Sequence, residues 1–269
     1  MRRGWFLPTM AIVGFVFLYA PIISLVVFSF NESRLVTVWS GFSTKWYGEL
    51  FADPQMLDAA WLSLRIAAIS ATIALVLGTL CAIALVRFRR FRGRTALSGM
   101  VSAPLVMPDV ITGLSLLLLF VGMESLLGWP AGRGMLTIIL AHSTFCMAYV
   151  CVVVQSRLAD FDMSLEEAAM DLGATPARVF FDITLPIIAP ALVSGWLLGF
   201  TLSLDDLVIA SFVSGPGSST LPMVIFSKVK LGVSPDVNAL ATIIVGIVAI
   251  GVFAATIFQL RSRPRKARA

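Results

Sequence analysis

This chain is short of charge. Asp, Glu, Lys and Arg make up 13% of its 269 residues, where a soluble domain carries about a quarter. Apolar residues reach 58%, and the pair of values excludes an ordinary water-soluble fold. Histidine occurs once and cysteine three times. Cys81, Cys146 and Cys151 fall inside apolar runs without metal-ligand spacing, which argues against a metal or redox centre and for inert buried thiols. No G-x-x-x-x-G-K-[ST] phosphate loop occurs, so no ATP site of that kind is expected in the chain itself. The first apolar run, Trp5–Phe30, outlasts a signal-peptide h-region and is not closed by an Ala-x-Ala site, so it reads as a retained span. Neither an internal repeat nor a low-complexity linker interrupts the sequence, and a single domain over 1–269 is expected.

What is present is a series of long apolar stretches. A hydrocarbon core of ~30 Å takes about 20 such residues per helix. Six runs qualify: Trp5–Phe30, Leu62–Val86, Gly99–Gly122, Gly134–Gln155, Ile187–Phe212 and Leu240–Leu260. They define an all-α membrane protein of six transmembrane helices. The net charge of +5 is explained by placement beside those spans and not by nucleic acid. Arg2, Arg3, Arg87, Arg89, Arg90, Arg92, Arg94, Arg157, Arg178 and the C-terminal Arg261, Arg263, Arg265, Lys266 and Arg268 lie on one side, 14 of the 20 basic residues. The positive-inside rule then places both termini in the cytoplasm, as an even span count requires. The basic C-tail is expected to lie at anionic headgroups. On the other side, Asn31–Trp61 mixes Trp39, Trp46, Tyr47 and Phe51 with charges, as an interfacial helix does. Val213–Asn238 begins as a loop and turns apolar at Leu221–Phe226, where a short re-entrant or surface helix is expected.

The connection at 156–186 is too long for a tight turn. Ser164 and Glu167 stand at capping-box spacing, which starts a helix at Leu165. Gly173 is suited to the left-handed residue that ends it. Thr175 then caps a second helix with Pro176 at its first position, and Pro186 closes the segment. Ala168, Ala169, Met170 and Leu172 give the first helix a small, partly apolar surface of the kind that lies in a partner's groove; a solvated connector with ordinary caps is the competing reading.

These residues carry a resemblance. Glu167-Ala168-Ala169, Gly173 and Ile183-x-Leu185-Pro186 stand at the spacing of the EAA loop of binding-protein-dependent ABC importer permeases. The strings Ala103–Asp109, Ser203–Ile209, Ser211–Gly217 and Val233–Leu240 are similar to the polyamine branch, the putrescine and spermidine/putrescine permeases. The resemblance covers nearly the whole chain. It implies a type I importer (MetI-like) fold in a bacterial inner membrane, with 156–186 as the coupling loop. It also implies a heterodimer with a second related permease, two ATPase subunits holding ATP and Mg, a periplasmic polyamine-binding protein, and no cofactor on this chain.

Acids inside a span cost roughly 2.5–3.5 kcal/mol on insertion scales and usually face a cavity or a partner. Asp109 lies ~15 Å into the third span at 1.5 Å per residue, and Asp205-Asp206 lies late in the fifth. Intramembrane acids without an evident basic partner favour a cationic passenger, and a ladder of Asp109, Asp205 and Asp206 would suit a flexible polycation. Neighbours on a helix point about 100° apart, so one of Asp205 and Asp206 is expected to face the path. Helix caps or a wet vestibule are the alternative roles. Trp46 and Tyr47 are candidates for cation–π contact at the outer mouth, against an aromatic belt at the interface. His142 is expected to make a helix-packing hydrogen bond. The alternative functions are an ABC permease for another substrate class and a secondary cation or amine transporter, which leaves the 156–186 loop unexplained. An intramembrane enzyme lacks a catalytic constellation.

Overall fold

The computed structural model describes residues 5–35, 38–88, 90–231 and 235–262. Arg2, Arg3, Arg89, Val233, Ser234 and the C-tail basic residues from Arg263 lie outside them. All regular structure among the described residues is helical: α1 (Phe6–Phe28), α2 (Lys45–Phe51), α3 (Pro54–Arg87), α4 (Arg94–Val106), α5 (Asp109–Leu127), α6 (Met135–Ala159), α7 (Ser164–Asp171), α8 (Pro176–Val179), α9 (Leu185–Asp205), α10 (Val208–Val213), α11 (Leu221–Leu231) and α12 (Pro235–Ser262). A π-type turn, Phe180–Thr184, joins α8 to α9. Among the described residues, five helical stretches are long and apolar enough to cross a membrane: α1, α3, α5, α6 and the run Pro176–Asp205. Pro235–Gly251, within α12, is a shorter apolar sixth.

The chain divides into two compact units, 1–57 with 225–269 and 58–224. In the first, α12 packs against α1 and α2. No residue of α1 is buried, the state of an apolar helix whose surroundings are lipid or another chain. Asn31 anchors the turn after α1: its amide donates to the Val38 carbonyl at 2.7 Å and its side-chain oxygen accepts from Ser40 N at 3.0 Å. The expected interfacial helix is α2. In the same unit, Lys228 Nζ lies 2.7 Å from both Asp53 Oδ2 and Asp236 Oδ2.

The second unit is built around α6, which contacts α4, α5, α9 and α10. Thirteen of its residues are buried, from Thr137 to Leu158, as expected of a helix that is apolar all round and enclosed by others. Small residues allow the close approach that helix packing in a membrane depends on. A Cβ on Gly78 of α3 would stand 2.9 Å from the Met147 carbonyl oxygen and from Val150 of α6. On α9, Gly195, Gly199 and Ser203 form a buried stripe four residues apart, and Cys146 Sγ donates to the Gly199 carbonyl at 3.4 Å. Cys146 and Cys151 are buried, Cys81 is half-buried, and all three are free thiols.

Two expected spans are interrupted. Gly99–Gly122 is two helices, because Pro108 disfavours the α conformation at Met107, which is extended with ψ 137°. The membrane-length helix is therefore α5, beginning at Asp109. Ile187–Phe212 breaks at Asp206, also extended with ψ 124°, and resumes as α10. Conversely α3 starts at Pro54, eight residues before the expected Leu62, where Asp53 Oδ1 accepts from Met56 N at 3.2 Å.

The Lys228 clasp gives a pH-dependent prediction. The hydrogen bond from Lys228 holds Asp53 below the usual carboxylate range. Burial pulls Lys228 down, but its hydrogen bonds to Asp236 and Asp53 outweigh it and leave the ammonium above its ordinary value. The Asp53 contribution is present above its unfolded pKa of about 3.9 and is lost as pH falls through its lower folded value. That of Lys228 is present below about 10.4 and is lost as pH rises through its raised value. Thermal stability should therefore carry this contribution between about pH 5 and 10. Lys228→Met should remove about 1 kcal/mol at neutral pH, because the partly exposed pair is screened. A thermal scan of the detergent-solubilised protein and of Lys228→Met at about pH 3, 7 and 11 checks this, the difference between them being largest at pH 7.

Candidate functional site

The segment 160–186 folds as two short helices around a glycine turn. The Ser164–Glu167 capping box does not form: α7 begins at Ser164, one residue earlier than expected, with no side-chain cap on its N-cap Met163. Asp162 takes over, its Oδ1 accepting from Ser164 N at 3.0 Å. Hydrogen bonds from Ser164 hold Asp162 below the usual carboxylate range. At the other end Gly173 has φ +86°. Its N–H donates to Met170 O at 2.9 Å and Ala174 N–H to Ala169 O at 3.1 Å, the paired bonds of a Schellman motif. Thr175 caps α8 through Arg178 N at 3.4 Å, with Pro176 in its first turn. Pro186 does not end the helical path but lies in the first turn of α9. It has no N–H to return to the preceding turn, and the widened π-type turn directly precedes it.

The loop presents an open apolar surface. Leu172 is 89% exposed, Leu165 47% and Met170 44%; Glu167 and Ala168 are exposed, while Ala169 is half-buried. Ile183 and Leu185 are half-buried and Pro186 is exposed. The side chain that ties the loop to the rest of its unit is Glu166, which sequence reasoning missed. Its Oε1 lies 2.5 Å from Arg87 Nη2 at the end of α3 and accepts a hydrogen bond from Thr184 Oγ1 in the π-type turn. Arg87 also contacts Met163 and stands over the Phe161 ring at 5.2 Å. A cleft of about 290 Å³ opens beside this cluster, between Ile83, Phe88, Met170 and Phe180. The signal for Glu166 was available only in part: an acid in a first turn is favourable in any helix, and its partner is 79 residues away.

The three acids occupy unlike places. Asp109 is exposed in the first turn of α5, not mid-helix as a continuous third span would require. Asp205 is the last residue of α9 and is exposed. Asp206 is turned inward, its side chain 8% exposed. Its carboxylate accepts from Ile209 N at 3.3 Å and Ala210 N at 2.7 Å, capping α10. The same carboxylate lies 3.2 Å from His142 Nε2. His142, fully buried, makes a second hydrogen bond, Nδ1 to Ser203 Oγ at 2.6 Å. The expected helix-packing role of His142 is what the geometry gives, and Asp206 acts as a cap in place of a ladder position.

The aromatic pair in the other unit is also committed. Trp46 is 3% exposed and donates its indole N–H to the Asn31 carbonyl at 2.6 Å. One ring face already carries the Lys45 ammonium, 4.6 Å from the centroid. Expected as a contact at the outer mouth, Trp46 is instead closed to a passenger by burial. Tyr47 pairs its hydroxyl with Ser29 Oγ at 2.8 Å and packs on Phe30 at 5.3 Å. Among the described residues no cluster of three or more His, Cys, Asp or Glu side chains is arranged to hold a metal.

Residues 74–268 match the family described as binding-protein-dependent transport system inner membrane component. The chain is 62% identical over 268 residues to the putrescine transport system permease protein PotI of Escherichia coli strain K12, covering 100% of this chain and 95% of that protein. It is 46% identical over 244 residues to the spermidine/putrescine transport system permease protein PotC of the same organism, covering 91% and 88%. Among solved structures, a bacterial ABC transporter involved in import of the acidic polysaccharide alginate superposes with a TM-score of 0.71 at 17% identity, over 95% of each chain. The MetNI methionine ABC transporter superposes at 0.61 and 17% identity, over 78% of this chain and 96% of that one. At such identities the structures establish the fold alone, which this chain shares with them.

Proposed function

The chain belongs to the family of binding-protein-dependent transport system inner membrane components, and from that membership we propose its function in detail. It is a multi-pass permease subunit of an ATP-driven polyamine importer, with putrescine the passenger. The observation that carries this reading is the full-length identity to a putrescine permease. The chain forms half of the translocation path, and a second, related permease forms the other half. Two ATPase subunits, binding ATP and Mg, dock on 156–186 at the cytoplasmic face of a bacterial inner membrane. A polyamine-binding protein delivers the passenger on the opposite face. Both termini are cytoplasmic, consistent with the cluster of arginines near the ends of α3 and α6.

Energy reaches the path mechanically. The exposed face of α7 suits a groove on the ATPase, and the Schellman turn at Gly173 makes α7 and α8 a stiff pair. Displacing that pair as a body pushes on α9, to which α8 is joined without a break in the helical path. Glu167, exposed next to that face, is placed to meet a basic residue of the ATPase. Ala168 and Ala169 keep the surface flat, and Ile183, Leu185 and Pro186 join the pair to the span.

For the passenger, the geometry favours Asp205 and Asp109 over Asp206. An exposed carboxylate at a helix break offers its oxygens to an ammonium group, whereas Asp206 already serves His142 and the amides of α10. Affinity capture of the tagged chain from membranes tests the assembly. An ATPase subunit should be retained and should be lost when 163–172 is replaced by a Gly-Ser linker. A secondary cation transporter would retain none in either case.

A further inference from the structure

The Arg87–Glu166–Thr184 cluster has no place in a coupling scheme that runs through α9 alone. Glu166 lies in the first turn of α7, Arg87 is the last residue of α3, and Thr184 ends the turn leading into α9. The ion-paired side chains are 16% and 14% exposed, and Thr184 is buried. A single carboxylate oxygen therefore joins the coupling helix to two membrane-length helices at once. Its neighbour Glu167 points to solvent and makes no such bond among the described residues.

We infer that Glu166 is a positioning residue that divides the displacement of the coupling helix between α3 and α9, so that both spans move together when the ATPase closes. This rests on the permease reading above. A carboxylate bonded to a guanidinium and a hydroxyl resists both sliding and rotation of α7 over the ends of those helices. The aliphatic and aromatic walls around it, Phe161 beneath Arg87 above all, keep the charged pair partly desolvated and so strengthen it. Without the pair, α7 still docks through its outer face, but its motion reaches α9 only through the backbone of α8, and α3 is left behind.

The test is the coupling ratio, putrescine molecules imported per ATP hydrolysed, in the full complex reconstituted in lipid vesicles with the loaded binding protein. Glu166→Ala should leave ATPase co-purification intact and lower the ratio about tenfold or more, an effect that poor assembly alone would not give. Glu166→Gln, which keeps the hydrogen bond from Thr184, should fall between. Arg87→Ala should lower the ratio as Glu166→Ala does, with the double variant no worse than either single one. The exchanged pair Arg87→Glu with Glu166→Arg should recover at least part of the loss. An unchanged ratio in Glu166→Ala and Arg87→Ala overturns the inference while the permease reading stands. Absence of ATP-driven uptake in the unmodified complex would instead overturn the permease reading itself.

Discussion

Gly173→Val should lower putrescine uptake by about tenfold or more, while Gly173→Asn should retain most of it. A Cβ at Gly173 would meet nothing within 4 Å, so the expected loss is not steric crowding. It arises from φ +86°, which costs an ordinary residue ~1–2 kcal/mol and a β-branched one more, whereas Asn tolerates it. The chain can relieve that strain only by leaving the left-handed region, which breaks the bonds from Gly173 and Ala174 to Met170 and Ala169. The exposed apolar face of α7 then turns away from the axis along which α8 pushes on α9. Uptake and binding-protein-stimulated ATP hydrolysis, measured side by side on the three proteins, check this. Equal activity in the Val and Asn variants would show that the turn is not a mechanical element.

The adjacent acids should separate cleanly. Asp205→Asn should depress uptake about tenfold with the thermal midpoint unchanged, because an exposed carboxylate at a helix end contributes little to stability. Asp206→Ala should do the reverse in kind. It removes the cap of α10, worth about 0.5–2 kcal/mol, and leaves a buried imidazole nitrogen of His142 without its partner, worth roughly 1–3 kcal/mol more. A clear fall in thermal midpoint is expected, with any loss of uptake following from it. Uptake assays paired with thermal scans decide the matter; full uptake by Asp205→Asn would remove that residue from the path.

Much of the fold was legible because a bilayer imposes one simple length rule. The runs now seen as α1, α6 and α12 are found within a few residues by apolar length alone. What length does not carry is where a span breaks. Pro108 was visible, but the apolar residues on both sides of it read as one run. The break at Asp206 depends on a side chain capping the next helix and on a histidine that is distant in sequence. In the loop, Gly173, Thr175 and Pro176 were readable because each acts on its own backbone neighbourhood. The Ser164–Glu167 box was misread because Asp162, two residues earlier, satisfies the same amide. Glu166 stayed hidden because its meaning lies entirely in Arg87 and Thr184. Trp46 looked like a belt or mouth residue by composition, yet it is buried, its indole N–H bonded to the Asn31 carbonyl and one ring face under Lys45.

On the proposed function, ATP hydrolysis in a separate subunit drives polyamine import through this chain. ATPase activity of the co-expressed complex in lipid, with and without polyamine-loaded binding protein, tests it most directly. Stimulation by the putrescine-loaded protein, lost in Gly173→Val, is the expected result. Stimulation only by a binding protein loaded with another class of solute, or no ATPase in the purified complex, would contradict it.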